Sequence, residues 1–487
     1  MGQRAGRRKV KKFNLVFGIL CAIYLVISIL FLMYVKSIDM LPTSYFIAIT
    51  IVDIVVTGLV AFGILKRNKS CVLNVVFCIL AVAIVGVYGF AYNYIIKNAM
   101  KTIDTISGPI EETENYYIIT LNDGKYNTIN DVNGKNIHMF SADEDYSDIK
   151  EDIDSKVKVT YKDDESLSKL TESLLTGKSY FALLSSSQYS MIKDENEEFE
   201  SKTKIIYTVT HKLGSKANDD IIDKNSDKIM SGGKFNVYIS GIDTSGNISN
   251  VSRSDANIVL TVNTDTNQIL MTSIPRDYYV TLHSKKAKDK LTHSGIYGIN
   301  ETVSTVEDLL DTEINYYVRV NFTTVIKLVD SLGGIDVYSD YAFTSSLGPS
   351  FKKGMNHMNG TQALAFSRER YSFAGGDNQR IKNQQKVIEA IINKVLNGKT
   401  LMSKYTTILK SISESFQTNI DQKDISLLVK KQLEDMKSWN ITTNSLTGTG
   451  ASKSTYSAGS QLLYVMIPNE SSVEAAKTKI NTVLGEK

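Results

Sequence analysis

Three apolar runs inside the first 96 residues constrain this chain more than any other feature. Phe13–Val35 has only Asn14 and Ser28 as clearly polar residues, and Tyr45–Leu65 and Cys71–Ile96 follow it. Each is about as long as the roughly 20 residues a helix needs to cross a bilayer. One such run could be a signal peptide. This one is long and two more follow, so three transmembrane helices are expected. Asp53 falls mid-span in the second, where a carboxylate is either a functional group or a polar contact between helices.

Orientation follows from the basic residues. The tail over residues 1–12 carries Arg4, Arg7, Arg8, Lys9, Lys11 and Lys12. The first loop has Lys36 balanced by Asp39, and the second has Lys66, Arg67 and Lys69. Basic, neutral, basic puts the tail and second loop in the cytoplasm and everything from about residue 97 outside. The membrane part has ten Lys/Arg against two Asp, net +8. The whole chain is +3, which leaves −5 for residues 97–487. The tail is a topology signal, and a dozen residues are too few for a folded DNA-binding module; a nucleic-acid partner is not expected. Cys21, Cys71 and Cys78 all lie in the apolar runs. An outer region without disulfides must rely on its own core, and it is long enough for one.

The outer region reads as two parts. Residues 98–225 form an α+β accessory domain. Tyr116–Leu121, Lys156–Tyr161 and Ile205–Val209 are strand-like, and Ser166–Leu175 is helical. Asn122-Asp123-Gly124 and Asn133-Gly134 read as hairpin turns. No catalytic constellation stands out here, and the charged run Lys193–Lys204 reads as solvated surface. A polar linker spans Ser215–Gly233. From about residue 230 strands and helices alternate. Strands are expected at Phe235–Ser240, Ile258–Val262, Gln268–Ser273, Tyr316–Val320, Ile335–Tyr338 and Leu462–Ile467. Helices are expected at Asn300–Leu310, Phe322–Leu332, Gln379–Leu396 and Ser471–Leu484. That alternation predicts an α/β domain, a mixed sheet flanked by helices.

Chemistry concentrates in the arginines. Residues 97–487 hold 39 lysines but six arginines: Arg253, Arg276, Arg319, Arg368, Arg370 and Arg380. Five sit in three polar segments, RSD at 253, SIPRD at 273 and SRERYSFAGGDNQR from 367. A guanidinium fork binds phosphate or carboxylate bidentately, which lysine cannot. A phosphate site is the sharp reading; surface ion pairs are the bland one for any single arginine. Asp243 and Asp255 flank strands and are a candidate metal pair, with hard oxygens suited to magnesium (or manganese); two exposed turn aspartates are the alternative. Pro275 fixes the backbone before Arg276. Asp377 reads as the N-cap of a helix that puts Arg380 and Gln384 on one face, and a helix start ringed by arginines suits a diphosphate. No GxSxG occurs, and His138, His211, His283, His293 and His357 lack zinc-like spacing. Catalysis would be electrostatic.

At these motifs the chain resembles the LytR-CpsA-Psr family. The resemblance rests on Lys234–Asp243, Arg253-Ser254-Asp255, Ser273–Asp277, Val325–Val337 and Asn359–Ala365, together with Arg368 and Asp377–Gln384. It covers residues 230–487. It implies an envelope phosphotransferase of Gram-positive bacteria, which moves a capsular polysaccharide from an undecaprenyl-diphosphate carrier onto peptidoglycan through a phosphodiester. By the same resemblance Asp243 and Asp255 would hold the metal. Arg253, Arg276, Lys290, Arg368, Arg380 and Gln384 would contact the diphosphate, and Arg370, in the same segment, is a further diphosphate candidate with no family role assigned. Arg276 and Arg368 would stabilise developing charge, and Asp377 or Asp277 would act as base. The polyprenyl chain would lie between sheet and helices, along the apolar faces of Val303–Leu310, Val325–Leu332 and Val387–Leu396; a plain core reading fits those faces equally. Other capsule-assembly proteins are implied partners. Two positions depart from the family pattern: Asp243 is followed by Thr244-Ser245-Gly246 without an arginine, and Ala256 stands where threonine is common. The rival reading is a membrane regulator or scaffold of capsule synthesis.

Overall fold

The computed structural model describes residues 2–66, 72–107, 112–141, 146–196, 198–212, 229, 233–242, 244 and 248–486. Asp243 and most of the Ser215–Gly233 linker therefore lie outside the described residues. Two compact units emerge.

The first unit contains helices α1 (Gly2–Ile38), α2 (Thr43–Leu65) and α3 (Val72–Phe90) and most of α4 (Asn98–Ser107). Leu15–Ile38 in α1, Thr43–Leu65, and Val72–Asn93, which runs past the end of α3, are long and apolar enough to cross a membrane. Most of their large side chains face outward, as lipid-facing residues must. Asp53 is buried between the helices. It accepts from Ser28 Oγ at 2.5 Å and from the Tyr88 hydroxyl. That is the polar-contact role. The same unit takes in residues 396–410 and 421–437, far along the chain. Lys430 Nζ lies 2.8 Å from Asp39 Oδ1 in the first loop.

In the second unit, β1 (Thr113–Leu121), β2 (Asn136–Met139), β3 (Thr160–Asp163), β4 (Ala182–Ser185) and β5 (Thr203–Lys212) form a sheet in the order β3-β2-β4-β1-β5. Neither expected hairpin exists. Gly124 and Gly134 do turn with positive φ, but β2 runs parallel to β3 and β4 and never pairs with β1. Local turn chemistry was right, and the pairing was set by long-range burial. Helices α5 (Ser147–Asp154), α6 (Leu167–Leu175) and α7 (Ser186–Glu195) cover this accessory sheet. Ser166 and Ser185 cap α6 and α7 by accepting from Lys169 N and Gln188 N.

A second sheet has the order β10-β9-β6-β7-β8-β11, where β6 is Lys234–Ile242, β7 Ser254–Asn263, β8 Gln268–Ile274, β9 Tyr316–Val320, β10 Phe416–Thr418 and β11 Asn440–Ser445. The β6–β7–β8 meander is antiparallel, while β9 and β11 join it in parallel. The sheet is mixed, as expected. α8 (Ile299–Leu310) buries Ile299, Val303, Val306 and Leu310 with Tyr238, Val259 and Leu270. This face is packed core, so the chain-lining role considered for it is not available. α9 (Phe322–Leu332) is capped by Asn321 and stopped by Gly333 at φ 77. After it come α10 (Gly360–Arg368), α11 (Asp377–Leu396), α12 (Gly398–Ile412) and α13 (Gln422–Asp435), then the β12–β13 hairpin (Gly448–Thr455, Gly459–Pro468) and α14 (Glu470–Leu484). On α9 and α11, by contrast with α8, Val325, Ile326, Leu328, Ile388 and Ile391 stay half-buried.

The accessory sheet shares a core with the β12–β13 hairpin. Leu167, Leu170 and Leu174 of α6 and Met191 and Ile192 of α7 pack with Ala458 and Leu463 at the β13 end. At Gly459, φ 70, a Cβ would come within 2.8 Å of the Glu165 carbonyl, so glycine permits this close approach.

Candidate functional site

The start of β7 and the end of β8 present Arg253, Asp255, Arg276 and Asp277 to one place. The segment Lys290–Gly295 closes on them: a Cβ on Gly295 would lie 2.5 Å from the Ser252 carbonyl and 2.7 Å from Ser254 N. Glycine there lets Lys290 and Thr292 reach the β7 end. The departure at Ala256 also has a local reason. Ala256 pairs with Gly241, and a Cβ on Gly241 would come within 2.9 Å of the Ala256 Cβ.

Asp255 is the hub. Its Oδ2 accepts from Arg276 Nη1 at 3.0 Å and its Oδ1 from Thr292 Oγ1 at 2.9 Å. Burial alone would push its carboxyl up, but Arg276, Arg253 and Arg380 outweigh that and hold it well below the usual carboxylate range. Asp277 lies 3.3 Å from Lys290 Nζ and 3.7 Å from Arg276 Nε. That Nε is buried and makes no hydrogen bond. Arg380 sits 2.5 Å from Asp377. Burial, then neighbouring Arg276, push its guanidinium down, which records how closely the guanidinium groups crowd.

A cavity of about 770 Å3 opens at this point. Arg253, Arg276, Lys290, Arg370, Asp277 and Asp377 line it together. The sequence expectation is thus met for the convergence of three distant motifs. Three residues stand apart. Arg368 is exposed outside the cavity, its guanidinium 4.1 Å over the Phe322 ring. Gln384 is half-buried and also outside it. Arg380 is buried behind the lining rather than in it. Asp377 is the first residue of α11 rather than its cap: Arg380 N donates to the Gly376 carbonyl, which makes Gly376 the half-helical position.

Arg253 is held from the accessory side. Its Nη1 meets Asp194 Oδ2 at 2.5 Å and its Nη2 donates to Ser190 Oγ at 3.0 Å. Both partners are on α7 of the accessory sheet. The run from Lys193 was read as solvated surface, yet Asp194 spans 59 residues of sequence to hold a site arginine. No local pattern signals such a contact. His293 was also missed. Asp289 Oδ1 lies 2.6 Å from its Nδ1 and accepts from Lys290 N at 2.7 Å, while Ser457 N donates to Asp289 Oδ2 at 2.8 Å. This buried knot fixes the backbone that carries Lys290 and Thr292. The i,i+4 spacing of Asp289 and His293 was the available clue.

Among the described residues no group of three or more His, Cys, Asp or Glu could hold a metal ion. Of the two candidate ligands, Asp255 is the one among the described residues, and both its oxygens already have partners. The described residues alone do not make a divalent-cation site; Asp255 would supply one ligand of such a site and the rest would have to come from elsewhere.

The profile of the LytR_cpsA_psr family matches residues 186–482. The polyisoprenyl-teichoic acid–peptidoglycan teichoic acid transferase TagU of Bacillus subtilis is 38% identical over 222 residues, which are 44% of this chain and 71% of that one. TagU of Bacillus mycoides is 37% identical over 196 residues, 40% of this chain and 63% of its own length. Among solved structures, B. subtilis TagU is 34% identical, covering 52% of this chain and 98% of that one with a TM-score of 0.42. Protein gbs0355 from Streptococcus agalactiae is 28% identical, covering 56% and 92% with a TM-score of 0.46. The profile takes in more than half of this sequence and every described site residue, and the chain belongs to the LytR_cpsA_psr family.

Proposed function

We propose that this protein is a membrane-anchored transferase that moves a glycopolymer from a polyprenyl-diphosphate carrier to peptidoglycan outside the cell. The observation that carries the reading is the single cavity shared by Arg253, Arg276, Lys290 and Arg370, all brought there from separate motifs. Fixed guanidinium groups at strand ends suit a diphosphate, and the transfer needs little from the protein beyond positioning and charge stabilisation. The names of the TagU relatives support a polyisoprenyl-linked donor and a peptidoglycan acceptor. Three membrane-length helices support an anchor beside the lipid carrier.

An acceptor hydroxyl oxygen attacks the phosphorus that bears the glycan. The bond from that phosphorus to the bridging oxygen breaks, and polyprenyl phosphate leaves with the bridging oxygen. Arg276 neutralises charge growing on the phosphoryl oxygens, and Lys290 beside it serves the leaving phosphate. The hydroxyl proton passes to Asp377. Of the two cavity carboxylates considered as base, Asp277 is tied to two cations and Asp377 to one, and Asp377 is the more exposed. Magnesium, where bound, would be held by Asp255 with Asp243, and would add further positive charge at the phosphate. The half-buried apolar faces of α9 and α11 suit the carrier chain. The carrier is read as undecaprenyl diphosphate and the polymer as capsular polysaccharide, because three spans with an accessory sheet resemble capsule-locus members of the family.

The test is transfer of labelled polymer to peptidoglycan by membranes carrying wild type, Arg276→Ala or Arg368→Ala. Loss in Arg276→Ala supports the reading. Unchanged attachment in both variants would sink it and favour a scaffold or regulator.

A further inference from the structure

The cavity has two unlike walls. Arg253, Arg276, Lys290 and Arg370 stand on the mixed-sheet side. On the accessory side α6 and α7 contribute Glu172, Asp194, Glu195, Asn196 and Thr176. Acidic side chains repel a diphosphate, so its place is against the cations. The volume of about 770 Å3 lies within the ~300–1,000 Å3 that holds a whole drug-sized ligand. Something uncharged and rich in hydroxyls must fill the accessory half, because carboxylates and amides are acceptors for hydroxyl donors. Below the polar rim, Leu175, Met191 and Ile192 offer apolar surface, and Tyr464 on β13 offers a ring face for the C–H side of a sugar.

That wall is built rather than loosely tethered. α6, α7 and β13 share one buried core, and Asp194 with Ser190 holds Arg253 by both terminal nitrogens. The accessory sheet is therefore fixed in register with the phosphate-binding wall, and a ligand spanning both would meet a preformed surface.

We infer that α6 and α7 of the accessory sheet form the sugar-binding wall of the site, taking the first sugars of the donor next to its diphosphate. This rests on the diphosphate reading above and adds what recognises the polymer. The accessory sheet then selects which glycopolymer is transferred.

The experiment uses full-length protein in detergent and four lipids: undecaprenyl diphosphate, and the same lipid bearing glucose, galactose or N-acetylglucosamine. At least one glycosylated lipid should bind wild type tenfold or more tighter than the bare lipid. Thr176→Trp and Glu172→Ala, both at exposed positions, should remove most of that gain and leave binding of the bare lipid unchanged. No gain from any sugar, or equal weakening of bare and glycosylated lipids in the variants, would overturn the inference. So would a peptidoglycan disaccharide whose binding, rather than the donor's, is lost in Thr176→Trp. Failure of wild type to bind the bare lipid at all would overturn the diphosphate reading, and this one with it.

Discussion

Two arginines, the buried Arg319 on β9 and the half-buried Arg276 after β8, have similar partners and opposite meanings. Arg319 is 2% exposed, with Nη1 2.6 Å from Glu112 Oε1 and Nη2 donating to the Asn250 carbonyl at 3.1 Å. Glu112 is itself 4% exposed and belongs to the strap that enters the accessory sheet. Thr113 then exchanges backbone hydrogen bonds with Ser249 and Val251. This is a closed knot. Arg276 is 14% exposed, shares two carboxylates, and keeps an Nε without a hydrogen bond at the edge of a cavity. An arginine beside a carboxylate is thus no sign of function by itself. The distinguishing features are an accessible cavity and bonding capacity left over.

The comparison can be broken at either end. Arg319→Met leaves Glu112 buried and unpaired and should cost about 3–5 kcal/mol, read as a fall in the denaturation midpoint. Transfer per folded molecule should be unchanged. Adding Glu112→Leu should restore most of the stability, since a buried pair replaced by apolar groups is close to neutral. Arg276→Lys keeps the charge but loses the fork. It should lower turnover by roughly 10²–10³-fold, the scale for losing one transition-state donor, with little change in melting temperature. If Arg276→Lys instead behaves like Arg319→Met, unfolding without a specific catalytic loss, the two arginines are not different in kind.

Glu369, between Arg368 and Arg370, tests whether the loop arginines are held in place. Its Oε2 accepts from Ser346 N at 2.5 Å and its Oε1 from Ser372 N at 2.9 Å. Burial would raise its carboxyl, yet these amides bring it down to about 2. A carboxylate with a lowered folded value contributes stability above the unfolded value of 4.5, and loses it as pH falls from 4.5 toward 2. Protection of the Ser346 and Ser372 amides, corrected for intrinsic exchange, should drop in that window. Glu369→Gln should show the low protection already at pH 7, by about 2 kcal/mol for hydrogen bonds to a charged acceptor. Equal protection in both proteins at pH 7 would show that the carboxylate is not the anchor.

Much of the mixed sheet was legible because its strands and helices carry their own signals. Tyr316–Val320 and Phe322–Leu332 fall where periodicity and the Asn321 cap and Gly333 stop place them. The arginine motifs were legible as a set because lysine is used everywhere else. The accessory sheet was harder. β2 and β4 have four residues each, too short to show a period, and their parallel pairing depends on distant strands. Least legible was Asp194. Its neighbours Lys193 and Glu195 look like solvent-facing charge, and only the shared core of α6, α7 and β13 brings it to Arg253.

The smallest effect expected separates the loop arginines from the buried ones. Arg368 rests on Phe322 and Arg370 on Tyr371, with the guanidinium carbons 4.1 and 4.7 Å from the ring centroids. A stacked guanidinium gains only about 0.5–1 kcal/mol from the ring. Phe322 N donates to the carbonyl of Thr244, the residue after Asp243, so Arg368 rests beside that strand end without lining the cavity. If it reaches the phosphate, it does so by leaving its ring. Arg368→Gln should then cost about tenfold in turnover, less than Arg276→Lys, because an exposed charge acts through water. Phe322→Leu should cost no more than about threefold, since only the resting place is lost. A Phe322→Leu defect as large as that of Arg368→Gln would mean that the stacked position is itself the working one, and Arg368 would then belong with the arginines lining the cavity.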